Sequence, residues 1–196
     1  MSETSVQATQ ATPTQKDRPG GGRNGALPQG LVQVYTGEGK GKTTAAFGLA
    51  LRAAGRGLRV KVIQFLKGQE SGEVTAARTA GIEVERFGDG GWVNLENPSE
   101  ADRARAAAGL SAALAALPVV DVLILDEANV ALAAGLLPME RLRELFFDGR
   151  PQGVEIVLTG RGAPVELVMM ADLVTEMLAI KHPYGQGILA RKGIEY

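Results

Sequence analysis

The chain has no cysteine, and its 196 residues include one histidine, one tryptophan, three tyrosines and five phenylalanines. Without cysteine there is no disulfide and no thiolate metal site, which fits a reducing, cytoplasmic setting. An excess of either charge is also missing. Twenty-one basic side chains face 22 acidic ones, a formal net charge of −1, so no global field draws the chain to nucleic acid. No apolar run reaches the roughly 18 residues that a membrane-spanning helix requires. The N-terminal stretch carries no apolar signal-peptide core. What remains is ordinary globular composition, 45% hydrophobic and 22% charged, in a length that suits one α/β domain with a full core. The expectation is a soluble cytoplasmic protein.

Residues 1–28 are rich in Gln, Thr, Pro and Gly and nearly free of large apolar side chains. Such a segment buries too little surface to offset its ordering entropy, so it reads as a tail that is disordered or orders on binding. From residue 29 to 196 apolar strands alternate with helices. The predicted strands are 31–35, 59–65, 82–87, 119–125, 154–159 and 173–180. The predicted helices are 43–54, 73–80, an alanine-rich one opened by Ser99 and Asp102 in a capping-box arrangement, 138–147 and 164–171. Repeated strand–helix alternation predicts an α/β fold with a mainly parallel, doubly wound sheet.

Between the first strand and the first helix lies Gly37-Glu38-Gly39-Lys40-Gly41-Lys42-Thr43-Thr44. Glycines here permit positive φ and let phosphate oxygens approach the backbone. The following helix turns its free N–H groups and the positive end of its dipole toward an anion. Lys42 can reach the outer phosphates, and the Thr43 hydroxyl can ligate Mg²⁺. The general phosphate-loop pattern asks for glycine at position 36, which is Thr36 here; the glycine stands one place later.

A second element is the apolar run Val122-Leu123-Ile124-Leu125 ending in Asp126-Glu127. Two carboxylates at the end of a buried strand either cap the next helix or serve the cation of a bound nucleotide. A small hard cation takes oxygen ligands, which Thr43, phosphates, water and one carboxylate supply.

From about Val34 to Tyr196 the chain resembles the ATP:corrinoid adenosyltransferases. The resemblance rests on Tyr35 to Gly48 with the displaced glycine, on Leu125-Asp126-Glu127, and on Leu158 to Pro164. Further matches are Ala171 to Met177, Lys181-His182-Pro183-Tyr184 and the ending Lys192-Gly193-Ile194-Glu195-Tyr196. The resemblance implies a phosphate-loop NTPase fold of the RecA-like kind. It also implies transfer of the 5′-deoxyadenosyl group of ATP to a cobalt(I) corrinoid, with triphosphate as leaving group, in adenosylcobalamin synthesis or corrinoid salvage. The competing readings are ATP hydrolysis or phosphoryl transfer on the same fold, and a nucleotide-binding module without turnover.

Carried over by the resemblance, Gly37, Glu38, Gly39, Lys40, Gly41, Lys42, Thr43 and Thr44 bind the triphosphate, while Thr43 and Glu127 contact Mg²⁺. Lys42, Thr43 and Glu127 are the catalytic candidates. Arg52 matches a family arginine near the nucleotide, or is a solvated helix-end residue favoured by the dipole. Trp92 stands where the family presents aromatics to the corrin ring. Arg161 is a phosphate or structural contact, and His182 a structural hydrogen-bonding residue. The resemblance further implies a homodimer and a reducing flavoprotein partner. Two departures stand out: Gly90-Gly91-Trp92 lacks the phenylalanine that relatives carry before the tryptophan, and the Pro/Gly-rich tail lacks the pattern of a helical lid.

Overall fold

The computed structural model describes residues 27–91 and 93–196. Trp92 and most of the expected tail over residues 1–28 therefore lie outside the described residues. Six strands form one sheet: β1 (Val32–Thr36), β2 (Val60–Phe65), β3 (Glu83–Phe87), β4 (Val122–Asp126), β5 (Glu155–Thr159) and β6 (Leu173–Glu176). Their order is β3-β2-β4-β5-β1-β6, and every neighbouring pair is parallel. Parallel neighbours need crossovers, which helices supply. These are α1 (Lys42–Gly55), α2 (Gly72–Thr79), α3 (Glu100–Ala116), α4 (Ala128–Ala133), α5 (Met139–Leu142), running into a π-helical turn over Arg143–Asp148, and α6 (Val165–Met170).

Side chains alternate across the strands, so the inner strands feed two cores, while the edge strand β6 is exposed. Val60, Val62, Ile124 and Val157 pack beneath α1 and α2 with Ala46, Phe47 and Val74. Val34, Ile63, Leu123, Leu125, Ile156 and Leu158 face the other way, toward Leu110 and Ala113 of α3 and Leu167 of α6. Helices on both faces make the sheet doubly wound, as the alternation predicts. Because all strands run one way, five strand-to-helix connections emerge along one edge, the usual ligand edge of such sheets.

Several element limits differ from expectation. The fourth strand begins at Val122 rather than Val119. Val119 is exposed, and Asp121 is instead engaged by Arg59 through two side-chain bonds and a backbone N–H. The last strand stops at Glu176, after which the chain leaves the sheet to lie over the phosphate loop. α4 is absent from the sequence reading; six residues give too short a period to recognise. The expected capping box is present, with Ser99 and Asp102 bonding each other's backbone N–H groups.

Candidate active site

The loop Gly37–Gly41 joins β1 to α1. Thr36 remains in β1, paired with Glu176, and its hydroxyl accepts from the Ala163 N–H at 3.2 Å. The backbone turns at Gly37, where φ is +95° and a Cβ would lie 2.4 Å from the Met177 carbonyl oxygen. This accounts for the displaced glycine: position 36 is a strand residue, and the turn that needs glycine comes one residue later. The Gly39 N–H donates to the Met177 carbonyl at 2.6 Å, so the chain beyond β6 buttresses the loop from outside.

α1 opens at Gly41 (φ +124°) without a side-chain cap and with no acidic residue in its first turn. The first N–H groups of a helix lack intrahelical acceptors, so this end favours an anion. Lys42 curls over the loop and donates to the carbonyls of Gly37 at 2.6 Å and Gly39 at 2.7 Å. Burial holds its ammonium below the usual lysine range, with the nearby Glu127 opposing that shift. Lys40 points outward and donates to the Ile194 carbonyl at 2.9 Å and to Glu195 at 3.0 Å. Arg191 and Lys40 together bring the Glu195 carboxyl down to about 2. Glu38 reaches Arg161 at 3.5 Å on the exposed rim.

At the end of β4, Asp126 is fully buried and accepts four hydrogen bonds. Its Oδ1 receives the hydroxyls of Thr43 at 2.9 Å and Thr159 at 2.6 Å. Its Oδ2 receives the Gln64 amide at 2.9 Å and the Lys67 ammonium at 2.8 Å. Burial alone would raise its pKa, but Lys67 and these donors hold the carboxyl below its usual range. Glu127 behaves oppositely: burial and the neighbouring Asp126 charge push its carboxyl up. Glu127 takes a left-handed conformation at φ +62°, strained for a residue with a Cβ, and its N–H donates to the Thr159 hydroxyl at 3.1 Å.

The sheet thus brings Lys42, Thr43 and Glu127 to one edge. Glu38 to Thr44 line a cleft of about 1030 Å³ together with Phe47, Leu51, Lys67, Arg161 and residues of the C-terminal segment. Arg52 lies on the exposed side of α1 and does not line this cleft. His182 lines it, and its Nδ1 accepts from the Tyr184 N–H at 3.2 Å. Phe87 is half-buried against the core at the end of β3. Sequence reasoning missed Lys67 and Gln64. Both come from β2 and its following loop, and only the adjacency of β2 and β4 places them on Asp126.

The family model described as ATP:corrinoid adenosyltransferase BtuR/CobO/CobP matches residues 28–196. A corrinoid adenosyltransferase of Pseudomonas aeruginosa is 40% identical over 172 residues, which cover 86% of this chain and 84% of that protein. The corrinoid adenosyltransferase CobA of Salmonella typhimurium is 37% identical over 171 residues, covering 86% of each. A corrinoid adenosyltransferase of Escherichia coli K12 is 35% identical over 170 residues, again covering 86% of each. The chain belongs to the ATP:corrinoid adenosyltransferase family.

Proposed function

We propose that the domain seats the triphosphate of ATP in the Gly37–Thr44 loop and hands the 5′-deoxyadenosyl group to the cobalt(I) of a corrinoid, with Lys42, Thr43 and Glu127 as the working side chains. The observation that carries this reading is the uncapped, acid-free first turn of α1 opening into a cleft of about 1030 Å³. That is ample for a nucleotide and part of a second, larger reactant.

In the reaction, the cobalt(I) electron pair attacks the ribose 5′ carbon. A Co–C bond forms, the C5′–O bond breaks, and its electron pair leaves on triphosphate; cobalt passes from +1 to +3. Charge therefore gathers on the departing triphosphate, where Lys42 and the loop N–H groups lower the barrier by fixed electrostatics. Holding C5′ toward the corrin is a positioning task, shared by the loop and the cleft walls. Trp92, in the β3–α3 connection, is the aromatic we assign to the corrin ring.

A Mg²⁺ ion suits the oxygen donors present, the Thr43 hydroxyl and the Glu127 carboxylate. Among the described residues no cluster of three or more acidic or histidine side chains converges. Nucleotide oxygens would complete such a site, and the ion would supply further neutralisation of the triphosphate. Glu127 would hold it from the β4 end and Thr43 from the α1 end.

Electrons for cobalt(I) come, in this reading, from a reducing flavoprotein in the cytoplasm. The domain works as a homodimer, a reading supported by the exposed apolar side chains Val165 and Met169 of α6 and Leu173 and Val174 of the edge strand β6. No described helix is long and apolar enough to cross a membrane.

Anaerobic incubation with ATP, Mg²⁺, a chemical reductant and cobinamide or cobalamin tests the activity. Adenosylated corrinoid with triphosphate is the expected outcome. ADP and phosphate without adenosylation would favour a hydrolase, and ATP binding with no product would favour a nucleotide sensor.

A further inference from the structure

Two residues other than glycine have positive φ among the described residues: Leu66 at +60° and Glu127 at +62°. They occupy equivalent places just past the ends of neighbouring strands β2 and β4. Leu66 immediately precedes Lys67, and Glu127 immediately follows Asp126. A left-handed conformation is strained for a residue with a Cβ, and strain of this kind gathers where side chains must be aimed. The side chains aimed here meet. The Lys67 ammonium lies 2.8 Å from Asp126 Oδ2, 3.1 Å from Thr43 Oγ1 and 3.9 Å from Glu127 Oε1.

We infer that Lys67 is a positioning residue of the nucleotide site, a tethered cation that neutralises Asp126 and fixes the Thr43 hydroxyl, so that Glu127 alone is left as the carboxylate for a divalent ion. The oxygen count supports this. Asp126 offers about four lone-pair sites and accepts four hydrogen bonds, two on each oxygen. It is thereby committed to holding Thr43, Thr159, Gln64 and Lys67. Glu127 accepts no side-chain hydrogen bond from the described residues; it approaches Lys67 at 3.9 Å and feels Lys42 and Arg161 from farther off. With the ammonium in place Asp126, Glu127 and Lys67 together carry one net negative charge rather than two, and Lys42 and Arg161 face Glu127 as further positive charges, so the native site draws a divalent ion weakly until nucleotide phosphates engage those cations. Cation binding then follows ATP binding. The inference rests on the proposed role of Thr43 and Glu127 toward Mg²⁺.

The test is Mn²⁺ binding to the full chain without nucleotide, read by titration calorimetry and by the Mn²⁺ spin-resonance signal. Lys67→Met removes the ammonium and exposes two carboxylates to the same ion. Its Mn²⁺ affinity should rise roughly tenfold or more over the native chain, because an uncompensated buried charge seeks a counter-ion. Adding Glu127→Gln should abolish the gain, and Lys67→Arg should not produce it. Equal Mn²⁺ affinity in the native chain and Lys67→Met would overturn the inference. If Lys67→Met unfolds in metal-free buffer, millimolar Mn²⁺ should restore its melting transition while leaving the native one unmoved; no restoration overturns it equally. A parallel titration of the native chain with ATP, with and without Mg²⁺, keeps the two ideas apart. If Mg²⁺ changes nothing there, the metal reading fails, whatever Lys67 does.

Discussion

Thr43 donates its hydroxyl to Asp126 at 2.9 Å, tying the first turn of α1 to the end of β4 across 83 residues of sequence. Neither end specifies a nucleotide site alone. A glycine-rich turn and an acidic strand end are both common. Joined by this contact, with Thr159 of β5 on the same oxygen, they form one rigid floor beneath the loop.

Asp126→Ala should be among the most damaging single substitutions in the domain. It strands the Lys67 ammonium, the Gln64 amide and two hydroxyls at a buried point, a loss of about 3–5 kcal/mol for breaking a buried pair on one side. Urea denaturation at pH 7 measures it. The native chain should also lose stability in acid through this group. Its folded pKa is depressed, so the contribution is complete above the unfolded value of about 3.9 and disappears as pH falls through the folded one. Asp126→Asn should lack that acid limb.

Glu127→Gln should separate stability from activity. The Glu127 carboxyl is raised in the fold, so ionising it costs stability as pH climbs from the unfolded value, about 4.3, through the folded one. At pH 7 the Gln variant should therefore melt above the native chain, and at pH 3 the two should coincide. Adenosyl transfer by the same variant should fall sharply. A variant that melts lower at pH 7 would contradict the electrostatic picture.

Lys42→Ala should lower kcat by about 10²–10³, the usual cost of removing one stabiliser of developing charge. Melting should change little, since Lys42 bonds only loop carbonyls. Unchanged kcat and KM would refute its role.

Gly109 lies on α3 where a Cβ would stand 2.7 Å from Phe65 Cε1 and 3.1 Å from Phe87 Cγ. Gly109→Ala gains about 1 kcal/mol of helix propensity but overpacks a core, at about 1–3 kcal/mol. A net loss in thermal melts is expected. Because Phe87 leads into the connection that carries Trp92, KM for the corrinoid should rise more than KM for ATP.

Much of this site is legible in sequence because its signals are local. Gly37 and Gly39 mark backbone where a Cβ would strike the carbonyls after β6, Gly41 marks a positive φ, and Leu125-Asp126-Glu127 marks a buried strand with an acidic end. The displaced glycine is different: its cause, the close approach of the Met177 carbonyl, comes from a segment 140 residues away. Lys67 is silent for a related reason. Nothing near it says that β2 will lie beside β4, and without that adjacency it reads as one more surface lysine. The end of β6 lies at the same contact: the Met177 N–H still donates to Thr36 of β1, while its carbonyl accepts from the Gly39 N–H of the loop. Alternation of apolar residues reports faces, and it carries no information about which strands become neighbours.

In adenosyl transfer the loop holds triphosphate as a leaving group while bond formation occurs at the ribose 5′ carbon. The most direct test is a single anaerobic turnover with ATP labelled with ¹³C at C5′, reduced cobinamide and Mg²⁺, followed by ¹³C and ³¹P magnetic resonance. The ¹³C resonance should move to that of a cobalt-bound methylene, in step with the appearance of intact triphosphate. A ¹³C resonance that stays with an adenosine phosphate, alongside ADP and inorganic phosphate, would contradict it.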